Sequence, residues 1–133
     1  MLTAEHPNPA EIQGAWIPPG YLEELRLNDT CVWAELVELY LVDARSHLVD
    51  LEQQTMRNYA DATARTLHSL KGSSRQIGAE RFGGQIEDME IYLEAHAAAD
   101  ASQFLSGLHL AFEALRAEMN EAILALGSRQ NRD

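Results

Sequence analysis

One stretch of this 133-residue chain combines side chains that could do chemistry: Leu67-His68-Ser69-Leu70-Lys71-Gly72-Ser73-Ser74, followed by Ile77-Gly78-Ala79. If the stretch is helical, a lysine three residues after the histidine and a glycine four residues after it share its face. An imidazole has an ordinary pKa of roughly 6.5, so much of it is neutral near pH 7, and neutral imidazole is a nitrogen nucleophile toward phosphorus. A phosphoryl group bound there would bring up to about two negative charges. Lys71 could offset part of that charge through charge-assisted hydrogen bonds. Gly72 costs about 1 kcal/mol relative to alanine in a helix interior. Access would explain that cost, because no side chain then covers the ring where a partner must approach.

These residues need a rigid element to hold them, and the hydrophobic pattern supplies it. Val32, Trp33, Leu36, Val37, Tyr40, Leu41, Ala44, Leu48 and Leu51 recur at three- and four-residue steps, predicting a helix from a Thr30 cap to about Thr55. Asn58 to Gly78 reads as the next helix, with Ala60, Ala64, Leu67, Leu70, Ser74 and Ile77 as its buried stripe and Gly78 as its stop. A third runs from Glu80 to about Ala98 with Phe82, Ile86, Met89 and Leu93 on one face. Asp100 or Ser102 could cap a fourth, whose stripe is Phe104, Leu105, Leu108, Phe112, Leu115, Met119, Ile123 and Leu126, ending at Gly127. No segment shows the alternation of a strand.

Four amphipathic helices with short connections bury their stripes against one another. The expected fold is all-α: an antiparallel up-and-down four-helix bundle with a short additional N-terminal helix opened by Pro18-Pro19. The expected division is a flexible tail over 1–17, one bundle domain over 18–127 and a frayed tail over 128–133.

Ten basic and twenty-one acidic side chains give a formal net charge of −11. Such a surface repels nucleic acid and anionic lipid, so neither is an expected partner. Cys31 is the sole cysteine, which excludes an intrachain disulfide and a Cys-based zinc site. The N-terminal residues lack the basic start and apolar run of a signal peptide, and no apolar run approaches the roughly 18 to 20 residues that span a bilayer. A cytoplasmic protein is the expectation.

On a helical wheel Leu67 and Leu70 point into the bundle, and His68, about 100° from Leu67, falls outside the stripe. Asp61, Ala64, Arg65, Lys71, Gly72 and Arg75 are its neighbours there. Arg65, Lys71 and Arg75 read as a cationic island on an acidic protein. Each residue alone has a plainer reading: a surface histidine, a solvated lysine, a glycine that lets helices pack. Ser73-Ser74 reads as small residues against a neighbouring helix, and Glu87, Asp88, Glu90 and Glu94 as a solvated face. His6, His47, His96 and His109 form no Glu-x-x-His or His-Glu-x-x-His ligand pattern, so no metal site is expected. Trp16 and Trp33 read as core or cap residues.

His68-x-Leu70-Lys71-Gly72-Ser73-Ser74 resembles the signature of histidine-containing phosphotransfer domains. The similarity continues through Gly78-Ala79, Phe82 and Ile86-Glu87-Asp88-Met89-Glu90. It covers roughly Leu22 to Leu126, with the specific part between Arg65 and Glu90. The resemblance implies a four-helix bundle with His68 as the phosphorylation site, Lys71 stabilising the phosphoryl group and Gly72 keeping the ring accessible. It implies transient partners: receiver domains of a hybrid sensor kinase and of response regulators, which would supply Mg²⁺, this chain holding no cofactor. Ala64, Arg65 and Arg75 would face those partners, Arg75 or Gln76 could add a hydrogen bond, and the chain would act as a monomer. Without a nucleotide-binding loop the chain should not phosphorylate itself from ATP. The competing reading is an adaptor or inhibitor that binds a receiver or kinase without carrying phosphate. Gly83-Gly84 departs from the pattern, either as a close-packing point or as a kink.

Overall fold

The computed structural model describes residues 30–131, with side chains over 32–125. Helices α1 (Thr30–Met56), α2 (Ala60–Gln76), α3 (Glu80–Leu93) and α4 (Ser102–Asn131) follow one another, with a short 3₁₀ turn at Ala98–Asp100 before α4. There is no strand among the described residues. The expected tail over 1–17 and the extra N-terminal helix lie outside the described residues.

Side-chain pairings fix the direction of each neighbouring helix. Arg45 of α1 meets Glu113 of α4 at 3.1 Å, while Glu52, further along α1, meets His109, earlier on α4, at 2.8 Å. Lys71 and Arg75 of α2 likewise meet Glu90 and then Glu87 of α3. Tyr92 and Phe82 of α3 contact Phe104 and Phe112 of α4 in reverse order. Three-residue connections join α1 to α2 and α2 to α3. The four helices thus form a closed ring of antiparallel neighbours around one core, the up-and-down bundle expected.

The core of α1 is Trp33, Val37, Tyr40, Ala44, Leu48 and Leu51, a narrower stripe than predicted. Val32 and Leu36 were expected in it but are about half exposed, at 48% and 50%. On α2 the expected Ala60 and Ala64 face solvent, and Thr63 and Thr66 are buried with Leu67, Leu70 and Ser74. A buried hydroxyl must find a partner. Thr63 donates to the Tyr59 carbonyl one turn back at 2.7 Å, and Thr55 does the same to Leu51 at 2.8 Å. Phe82, Ile86 and Met89 of α3 and Leu105, Leu108, Phe112, Leu115 and Met119 of α4 complete the core.

Helices α1 and α2 end in the same way. Asn58 has φ 59° and Gly78 has φ 94°. The amides of Tyr59 and Asn58 donate to the carbonyls of Gln54 and Thr55, and those of Ala79 and Gly78 to Ser74 and Arg75. This pattern closes a helix through a left-handed residue and satisfies its last carbonyls. Asn58 therefore ends α1 and does not begin α2. Helix α3 stops at Leu93, five residues short of the expected Ala98. There His96 stacks on Tyr92 with ring centroids 3.9 Å apart and pairs with the Tyr92 carbonyl at 2.9 Å. The Asn58 side chain then takes the Ala99 amide at 3.0 Å. Neither Asp100 nor Ser102 lies before α4 as its cap: Asp100 belongs to the 3₁₀ turn, Ser102 is the first helical residue, and Ala101 precedes it. Helix α4 continues through Gly127 to Asn131. A glycine lowers helix stability without requiring a stop.

Candidate functional site

Helix α2 carries the site. Its inner face is fixed by Leu67, Leu70 and Ser74, all fully buried. Ser74 is more than a small packing residue. Its hydroxyl and that of Tyr40 lie 2.6 Å apart, a buried hydrogen bond that ties α2 to α1. Burial pushes the Tyr40 phenol up to about 12, with the Ser74 hydrogen bond acting in the opposite direction. Anchored on that side, the helix must turn the residues about 100° away per step, His68 and Gly72 among them, toward solvent.

His68 is exposed and makes no hydrogen bond, ion pair or ring contact among the described residues. The other three described histidines are each engaged: His47 with Asp43 at 3.3 Å, His96 with Tyr92, and His109 with Glu52. His68 is the one imidazole among the four left open to a partner. His6 lies outside the described residues.

Gly72 is exposed, and a Cβ built on it meets nothing within 4 Å. The close-packing explanation for this glycine is thereby removed. Its helical backbone requires no glycine either, since Gly78 is the sole described glycine with positive φ. What remains is open space one turn beyond His68.

Lys71 and Arg75 stand along the edge of α2 that faces α3, and both are paired. The Lys71 ammonium lies 2.6 Å from Glu90, with the two side chains 19% and 21% exposed. Arg75 donates to Glu87 at 2.6 Å and stands 3.9 Å from Glu80. That hydrogen bond holds the Glu87 carboxyl below the usual carboxylate range and raises Arg75. The expected cationic island is therefore corrected: two of its three charges are neutralised by α3. Arg65 is exposed with no carboxylate within 4 Å among the described residues. Glu87 and Glu90 in turn are not a solvated acidic face but the counter-charges of the site. The sequence pattern missed them because the pairing depends on how α3 is rotated against α2.

Gly83 makes one of those pairings possible. A Cβ there would sit 2.8 Å from Arg75 Cγ and 3.0 Å from its Nε. The arginine stem thus lies across α3 at a position where only glycine leaves room. Gly84 meets nothing within 4 Å, so the Gly83-Gly84 departure has two unlike halves.

Two grooves flank α2. One, of about 280 Å³, lies toward α3 with Asp61, Glu90, Glu94 and His96 above Ala64, Leu67 and Leu93. The other, of about 440 Å³, lies toward α1 and is lined by Leu36, Leu39, Tyr40, Asp43, Ser73, Gln76 and Ile77. Among the described residues no group of three or more His, Cys, Asp or Glu side chains is arranged to hold a metal ion. No helix among them is long and apolar enough to cross a membrane.

A mid-helix, solvent-facing imidazole on an antiparallel four-helix bundle defines a class of protein, and comparison with known families agrees. The model of the Hpt domain matches residues 35–118, which take in all of α2 and α3 and parts of α1 and α4. The chain belongs to the Hpt domain family, whose general activity is histidine phosphotransfer in phosphorelays. No curated protein and no solved structure matches the chain.

Proposed function

We propose that this chain carries a phosphoryl group on His68, taking it from the aspartyl phosphate of one receiver domain and passing it to the aspartate of another. The single observation that carries the reading is the state of His68: exposed, unpartnered, and followed one turn on by a glycine with empty space above it. In the accepting step an imidazole nitrogen lone pair attacks phosphorus. The P–N bond forms, the P–O bond to the aspartate breaks, and the electron pair leaves with the regenerated carboxylate. The other ring nitrogen keeps its proton through the step. Donation to the second aspartate is the reverse.

Phosphoryl transfer asks for positioning and for charge stabilisation, with little covalent work from the protein. Helix α2 positions the ring, Gly72 leaves room for the receiver, and Lys71, three residues on, is the cation placed to offset the developing charge. Mg²⁺ would come with the receiver. Ala64 and Arg65 are exposed on the same side and available to a partner. Arg75 is committed to Glu87, so its role is to brace α2 against α3 more than to contact a receiver. In this reading the chain works as a cytoplasmic monomer that docks transiently and does not use ATP itself.

The test is transfer from a phosphorylated receiver to the wild-type chain and to His68→Gln. Acid-labile, base-stable label on the wild type and none on the variant is the expected result. Equal labelling of both would place the phosphate elsewhere. Receiver binding with no label on either would favour the adaptor reading.

A further inference from the structure

We propose that Glu90 governs how tightly the site holds a phosphoryl group, by engaging the Lys71 ammonium in an ion pair with which the phosphoryl group must compete. The proposal rests on His68 as the phosphorylated residue.

Lys71 does not wait free for its ligand. Its ammonium lies 2.6 Å from Glu90, and this is the most enclosed of the ion pairs described above, with side chains 19% and 21% exposed. Screening by solvent is weaker there than for the pairs around it. The buried residues of that stretch of α3 are Ile86 and Met89, so Glu90 stands at the edge of the core and not in it. It is also not alone in its sign: Asp61 and Glu94 line the same groove. Each repels an incoming dianion, and Glu90 in addition occupies the one cation that the motif places beside the ring.

An ammonium has three donors and can be shared between two acceptors. A phosphoryl group on His68 would therefore draw on Lys71 at partial strength, against the standing claim of Glu90. The consequence suits a carrier. A site with Lys71 wholly available would hold the phosphoryl group more firmly and release it to the next aspartate less readily. With Glu90 in place, charge on the ring is tolerated without being trapped. Glu90 is thus a positioning residue that acts through Lys71 and touches no reacting atom.

The experiment uses the full chain and an isolated receiver domain charged with radiolabelled acetyl phosphate. The readout is the equilibrium ratio of labelled chain to labelled receiver. Glu90→Gln should raise that ratio about 1.4- to 5-fold, the range for a partly exposed ion pair converted to an equilibrium constant. Glu90→Ala should move it in the same direction, and circular dichroism should report unchanged helicity for both. Lys71→Gln should lower the ratio, and in that background Glu90→Gln should lose most of its effect. A ratio unchanged or lowered by both Glu90 variants, while the wild type labels normally, overturns the proposal. So does a full effect that persists without Lys71. A wild-type chain that takes no label at all refutes the phosphoryl-carrier reading itself, and the role of Glu90 with it.

Discussion

Replacing Gly72 by alanine should make the protein more stable and less active, and the two effects have separate physical origins. The residue lies inside α2 with ordinary helical backbone, and the added methyl meets nothing within 4 Å. No steric penalty then opposes the gain in helix propensity, which is about 1 kcal/mol. For a chain of this size that gain raises the thermal midpoint by roughly 3–6 °C. The same methyl narrows the space one turn from His68, where a receiver must bring its aspartate to bonding distance. Misplacing reacting groups by about 1 Å can lower a rate on the order of 100-fold. Gly72→Gln extends the obstruction while keeping most of the propensity gain. The expected ladder is a rise in stability for both variants, with a transfer rate that falls modestly for alanine and by at least about 10-fold for glutamine. Thermal denaturation and single-turnover transfer from a phosphorylated receiver measure the two sides. A loss of stability in Gly72→Ala would mean that the space above the helix is filled. Wild-type transfer by Gly72→Gln would refute access as the reason for the glycine.

His68→Gln should abolish labelling yet stay within about 0.5 kcal/mol of wild-type stability, as expected for an exposed side chain without partners and checked by urea titration. The Tyr40 phenol titrates near 12 in the fold against about 10 in the unfolded chain, so the fold favours its protonated form. That contribution is complete below about pH 10 and is lost between about pH 10 and 12, a decline of roughly 2–3 kcal/mol that Tyr40→Phe should remove from the pH–stability profile. Gly83→Ala and Gly84→Ala, adjacent substitutions of the same chemistry, should part in sign: the first destabilises by displacing the Arg75 stem, and the second stabilises by up to about 1 kcal/mol. Denaturant midpoints read both, and the penalty of Gly83→Ala should vanish when Arg75 is also replaced by alanine.

The bundle was legible in the sequence because long leucine-rich stripes at helical spacing admit few other arrangements. Spacing alone does not decide every position. Ala60 and Ala64 fit the stripe of α2 by spacing as well as Thr63 and Thr66 do, and by polarity they fit it better. The threonines are buried because Thr63 can return its hydroxyl to a carbonyl one turn back, an option the pattern of apolar residues does not display. The end of α3 was hidden for a related reason. The run Ala95-His96-Ala97-Ala98-Ala99 has no glycine or proline to announce a stop, and the helix ends through the His96–Tyr92 stack and an amide captured by Asn58, 41 residues away in the chain. At the site, His68, Lys71 and Gly72 stood out by spacing within one helix. Glu87 and Glu90 did not, because their relation to Arg75 and Lys71 exists only once two helices have chosen their mutual rotation.

The left-handed residues that bound α2, Asn58 before it and Gly78 after it, have a consequence for how such a chain can change. Each is locked by two backbone hydrogen bonds into a three-residue connection, so neither junction has slack. An inserted or deleted residue within α2 could not be absorbed at its ends. It would turn everything on one side of the change by about 100° and shift it by about 1.5 Å along the axis. His68 would then leave the outer face, or Leu67 and Leu70 would leave the core. A change of seven residues restores the facing to within about 20°. Such a change would also move one end of α2 by about 10.5 Å along the axis, so the length of α2 is tied to the lengths of the helices packed against it.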